Sequence, residues 1–154
     1  MLDIPYNMTI SYFDNQIGPN VLFSKLDGEY NIDIHEVPEL TRLMDLHDAG
    51  DFFLHYYAGI VTANYIFKIR DPYTRGGEHL LMTSMIFEQN ETNITEIFLK
   101  IRLIEQRLKY VSQNAVKHRL IKQLLNKSAS YQQYDKEKML KTIRNDLISS
   151  LTRR

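Results

Sequence analysis

The hydrophobic pattern has the spacing of strands over most of the first ninety residues and the spacing of helices after that. Met8-Thr9-Ile10-Ser11-Tyr12-Phe13 is rich in β-branched and aromatic residues, which suit a pleated surface. Asp14-Asn15-Gln16-Ile17-Gly18-Pro19-Asn20 follows as turn chemistry, with Gly supplying positive φ and Pro punctuating the chain. Val21-Leu22-Phe23-Ser24 reads as the returning strand. Residues 8–24 are therefore predicted to form a hairpin with a loop longer than the two-residue minimum, closed by Asp27-Gly28. Over residues 36–47, Val37, Leu40, Leu43, Met44 and Leu46 fall at helical spacing, with Pro38 in the permitted first turn and Gly50 as the stop.

Three more strands are predicted next. Phe52-Phe53-Leu54-His55-Tyr56-Tyr57 is one, ended at Ala58-Gly59. Residues 60–69 alternate, with Val61, Ala63, Tyr65, Phe67 and Ile69 on one face and Thr62, Asn64 and Lys68 on the other. Asp71-Pro72-Tyr73-Thr74-Arg75-Gly76-Gly77 reads as a loop. Residues 80–87 are apolar on both faces, which places them in the centre of the sheet, with the 8–24 hairpin supplying an outer strand and its neighbour.

Helices follow. Asn93-x-x-Glu96 resembles a capping box and opens the run Ile94, Ile97, Phe98, Ile101, Ile104, Leu108 and Val111. Val116, Leu120, Ile121, Leu124 and Leu125 make a second, shorter amphipathic helix, followed by a polar break at residues 126–130. A final helix over 131–151 carries the stripe Leu140, Ile143, Leu147 and Leu151. The order β-β-α-β-β-β-α-α predicts an α+β fold, a five-stranded antiparallel sheet flanked by helices. Residues 1–126 form that domain, and residues 127–154 add an amphipathic basic helix.

Charge changes the picture more than composition does. The chain has 154 residues with 19 Lys+Arg and 19 Asp+Glu, yet residues 1–99 hold 5 basic against 15 acidic and residues 100–154 hold 14 against 4. Such segregation guides association but does not set the fold. The basic residues are interleaved with apolar ones at helical spacing, which fits solvated helix faces better than nucleic-acid binding. With no cysteine, disulfides, thiolate metal sites and thiol nucleophiles are excluded. No apolar run reaches the roughly 20 residues of a membrane span, and no leader pattern opens the chain, so a cytoplasmic protein is expected.

Candidate chemistry is sparse. No phosphate-loop motif occurs, and Gly76-Gly77 precedes a strand, unlike a dinucleotide fingerprint, so it reads as a turn. None of the five histidines has the i, i+4 partner of a helical zinc pair, although His55 and His79 could meet across strands. Glu36 and Glu39 suit a helix N-terminus. No nucleophile elbow is present. The expectation is a chain with no catalytic residue, metal or cofactor, and no hydrolase or nucleoside-triphosphatase activity.

Tyr12-Phe13-Asp14-x-x-x-Gly18-Pro19-x-x-Leu22, a strand reaching a Gly-Pro turn and returning, resembles the opening hairpin of longin-type domains. The element order over residues 5–126 is similar to the longin plan. The resemblance implies a non-catalytic interaction platform, of the kind found in nutrient-signalling and trafficking complexes. Such a platform binds a small GTPase or pairs with another longin or roadblock domain as a homo- or heterodimer. Gly18 and Pro19 in the turn and Leu140, Ile143, Leu147 and Leu151 on the last helix are the candidate partner-binding residues. Because the longin-like plan is complete near residue 126, the last helix is expected to dock between chains, and removing residues 128–154 should leave a cooperatively melting core. Two rival readings are a nucleic-acid-associated regulator using the basic helices and a profilin- or PAS-like sensor with Tyr56, Tyr57, Tyr65 and Phe67 around a pocket.

Overall fold

A computed structural model of the chain describes residues 2–14, 18–27, 40–73, 76–117, 121, 138, 141–146 and 148–149. Five strands, β1 (Asn7–Asp14), β2 (Gly18–Asp27), β3 (Phe52–Tyr57), β4 (Ile60–Arg70) and β5 (Glu78–Glu88), make one antiparallel sheet in the order β2-β1-β5-β4-β3. The strand that is apolar on both faces is thus the central one, as its sequence predicts, and residues 81–87 are all buried. The opening hairpin supplies one edge and its neighbour.

The two faces of the sheet are covered differently. On one, Met8, Ile10, Val61, Phe67, Leu81 and Met85 pack against Ile104, Leu108, Val111 and Ala115 of helix α2 (Ile101–Lys117). Each of these side chains larger than alanine contributes about 1.5–3 kcal/mol by leaving water. Val61, Ala63, Tyr65, Phe67 and Ile69 all point to this face, as the alternation predicts. One polar contact sits within it: the Thr83 and Ser112 hydroxyls are 2.9 Å apart, and Ser112 also donates to the Leu108 carbonyl. On the other face, Leu40, Leu43 and Met44 cover Ile60, Ile66, Met82 and Ile86.

That cover is a 3-10 helix over Thr41–Asp45, whereas the sequence predicts a longer helix over residues 36–47. Val37 and Pro38 lie outside the described residues. Leu46, expected on the buried stripe, lies past the helix end and is 73% exposed. Gly50, with φ +94°, then turns the chain into β3 by donating to the Ile66 carbonyl.

The run expected as one helix from Asn93 is two. Helix α1 (Glu91–Leu99) starts three residues earlier, capped by Asn90, whose side-chain oxygen accepts from the Asn93 N–H at 2.8 Å. The Asn93 amide reaches back to the Glu88 carbonyl, also at 2.8 Å, so two polar groups at the helix entrance are satisfied together. Lys100 leaves helical geometry (φ −112°, ψ 22°), and Phe98 and Leu99 beside it face solvent. Asn90→Ala should lower stability by about 1 kcal/mol in denaturant titration, while Asn93→Ala should also release the Glu88 carbonyl.

Candidate functional site

The sheet has two edges, and they differ. Gly18 pairs with Asp14, Pro19 with Phe13 and Asn20 with Tyr12, so residues expected in the turn already belong to edge strand β2. The loop shrinks to residues 15–17, which lie outside the described residues. Register shifts interrupt the β1–β2 ladder between Met8 and Ser11. A proline and irregular pairing are devices that discourage strand addition.

The opposite edge, β3, has neither. Its pairing with β4 runs without a shift from Phe52–Tyr65 to Tyr57–Ile60, and its sequence holds no proline and no Lys, Arg, Asp or Glu. Ala58 (φ 49°) and Gly59 (φ 81°) form the two-residue connection to β4, and positive φ at both positions is what a type I′ turn requires. The phase of the ladder follows. The Ile66 N–H donates to the Asp51 carbonyl, and hydrogen-bonded pairs alternate along an antiparallel ladder. Phe53, His55 and Tyr57 therefore point their backbone groups at β4. Phe52, Leu54 and Tyr56 point theirs outward, where no described strand pairs with them. Tyr56 and Tyr57 are 43% and 41% exposed. Among the described residues this edge is apolar and unguarded.

The other expected residues are distributed as follows. Ile143 is fully buried in the same cluster as the sheet and α2, and Ile148 packs against that cluster. This side of the C-terminal segment is committed within its own chain, and docking of Ile143 between chains is corrected accordingly. Leu140, Leu147 and Leu151 lie outside the described residues. His55 stands opposite Thr62 and His79 opposite Ile69, so seven β4 positions separate them, roughly 23 Å at about 3.3 Å per residue. They do not meet. The His79 ring instead lies 3.1 Å from the Asp71 carboxylate, a buried pair bracing the β4–β5 loop. In that loop Gly76 and Gly77 take positive φ, as the turn reading requires. Tyr56 and Tyr57 point to opposite faces of β3, so they do not line one pocket together.

Two of the basic residues in the helical half, Lys100 and Lys109, are engaged within the chain. Lys109 pairs with Glu105 and lies 5.7 Å above the Tyr65 ring. Lys100 contacts Glu96 and Asp3, and the Glu96 hydrogen bond, helped by Asp3, raises its pKa against the opposing effect of desolvation. Among the described residues no three His, Cys, Asp or Glu gather as a metal site, and no helix is long and apolar enough to cross a membrane.

One cluster went unnoticed in the sequence. On the sheet face away from α2, Asn7, Thr9 and Ser11 form a line along β1 and all are buried. Thr9 stands opposite Ser84, which stands opposite Asn64. Asn64 is saturated: its oxygen accepts from the Ser84 hydroxyl at 2.7 Å and its amide donates to the Thr62 hydroxyl at 2.9 Å. Both amide atoms of Asn7 and the hydroxyls of Thr9 and Ser11 have no partner among the described residues. The only signal for this in the sequence is polar residues at i, i+2 and i+4, which usually marks a solvent face.

No family model matches the chain, and no curated protein sequence does. Among solved structures it is similar to the K. lactis Lst4 longin domain, with a TM-score of 0.54 and 14% identity, over 97% of this chain and 95% of that one. That likeness, over nearly the whole of both chains, shows that the chain has a longin-type fold.

Proposed function

We propose that the protein is a non-catalytic, cytoplasmic interaction domain. Its β3 edge pairs with a second longin or roadblock domain, in an assembly that regulates a small GTPase in trafficking or nutrient signalling. The observation that carries this reading is the unguarded β3 edge. Outward N–H and C=O groups on a regular, uncharged strand are obligatory hydrogen-bonding groups, and a partner strand satisfies them while covering Tyr56 and Tyr57. The longin-type fold and the opening Tyr12-Phe13-Asp14 hairpin support the choice of partner class.

Amide hydrogen exchange tests it. In the free chain Phe53 and His55 should already be protected by β4, while Phe52, Leu54 and Tyr56 exchange quickly. Mixing with a longin or roadblock partner should slow those three amides selectively. A partner that binds while all three keep exchanging at the free rate would refute edge pairing.

A further inference from the structure

We propose that the outer side of the helical layer docks on an anionic lipid bilayer, with Phe98 and Leu99 at the α1–α2 junction inserting into it. Both side chains face solvent, 58% and 77% exposed. The fold requires neither of them to be apolar. Helix α1 buries Asn93 and Ile97 and packs Ile94 against the core, so its inward side is already filled. Positions one and two places beyond Ile97 are turned from it by about 100° and 200°. The other exposed positions of α1, Glu91, Thr92 and Thr95, are polar. A phenylalanine and a leucine left side by side in water forgo burial that a second surface can supply.

Charge selects the surface. Helix α2 turns Ile104, Leu108, Val111 and Ala115 toward the sheet. Helical spacing puts Arg102, Gln106, Lys109, Gln113 and Lys117 on its opposite side, a row of cations and amides with no carboxylate. Arg102 and Lys117 are exposed, while Lys109 is half-buried and pairs with Glu105. Arg102 comes three residues after Leu99, so chain length alone keeps them within about 11 Å. Val116, 40% exposed, puts an apolar side chain next to Lys117 at the other end of the helix. Two carboxylates at the junction, Glu96 and Asp3, are held by Lys100 at 2.6 and 3.4 Å. Residues 1–99, with 15 acidic against 5 basic, are repelled by an anionic surface that attracts residues 100–154, with 14 basic against 4 acidic. That asymmetry turns the helices toward the bilayer and the sheet away from it.

The apolar pair favours lipid over nucleic acid. Bases stack on aromatic rings, whereas Leu99, the more exposed of the two, is aliphatic. A bilayer accepts both, since aliphatic and aromatic side chains enter the acyl boundary while cations stay among the headgroups. Two side chains and a few cations make the attachment reversible, as even a single myristoyl chain does. The surface does not include β3, so this inference is independent of strand pairing at that edge.

The chain has no tryptophan, so Phe98→Trp gives the full chain a single fluorescent reporter, and Leu99→Trp gives a second should the first not fold. At low salt, vesicles of phosphatidylcholine with about one-third phosphatidylserine should move its emission to shorter wavelength, saturating at millimolar lipid. Vesicles of phosphatidylcholine alone should move it much less. Leu46→Trp, at an exposed apolar position beside the 3-10 helix, should not respond. In co-sedimentation with the anionic vesicles, Arg102→Glu should weaken binding at least about fivefold and Leu99→Ser severalfold, both with an unchanged melt. No emission shift in either reporter up to about 10 mM lipid would overturn the proposal. So would an equal shift for Leu46→Trp, or binding that is the same on neutral vesicles and in Arg102→Glu. Co-sedimentation with duplex DNA in place of vesicles, lost in Arg102→Glu, would assign the surface to nucleic acid and overturn it as well.

Discussion

Replacing Ile143 by alanine is expected to lower the unfolding free energy by about 2–5 kcal/mol, and by the same amount at every protein concentration. The side chain is fully buried among residues of the sheet and of α2, so its loss leaves a cavity inside one chain. For a chain of this size that loss should lower Tm by roughly 2–4 °C for each kcal/mol. Concentration is the discriminating variable. A helix docked between chains would be stabilised by mass action, and its defect would shrink as protein concentration rises. Truncation after residue 127 removes Ile143 and Ile148 together and should lower stability further, instead of leaving the core untouched. Chemical denaturation at two well-separated concentrations decides the matter.

The second large effect is a contrast between neighbouring residues. Tyr56→Pro removes an N–H that points away from the sheet, and the side chain it replaces is 43% exposed. The chain should stay folded, within about 1 kcal/mol of the original. Strand addition at β3 should nevertheless weaken at least about tenfold, because a donor in the new ladder is gone. His55→Pro deletes the N–H directed at Thr62 in β4, so it should cost about 1–3 kcal/mol of fold stability by orphaning a ladder acceptor. Melting curves and sedimentation of the two variants side by side separate fold from assembly. If both lose stability alike and bind alike, the assigned ladder phase is wrong.

Much of the sheet was legible because strands announce themselves twice, by residue type and by which face is apolar. The alternation of Val61 through Ile69 marks the face that receives α2, and the two-sided apolarity of residues 80–87 marks the centre. The helical half was less transparent. Ile97, Ile101 and Ile104 keep helical spacing straight through the break at Lys100, so periodicity does not reveal it. Asn90 and Asn93 are both plausible caps, and only the Glu88 carbonyl, held by the Asn93 side chain, decides between them. Gly18 and Pro19 have turn composition but sit at the start of an edge strand, where a missing N–H does no harm. The polar line Asn7-Thr9-Ser11 was hidden for a plainer reason. Alternation reports which side chains share a face, and it does not report whether that face meets water.

The order of strands also fixes an order of events. β3, β4 and β5 form a meander within residues 52–88, where every pairing is local in sequence. β1 completes the sheet only by finding β5, and Asn7 and its partner Ile86 lie 79 positions apart. An isolated two-stranded hairpin is marginal in water, so the N-terminal hairpin has no stable resting place until the meander exists. On a ribosome moving at about 5–20 residues per second, Asn7 emerges and waits roughly 4–16 s for Ile86 to be made. During that interval Met8 and Ile10 lack the sheet and helix partners that later bury them. The nascent chain therefore has a defined window in which its first strand is most open to capture by a chaperone or by the β5 edge of another molecule.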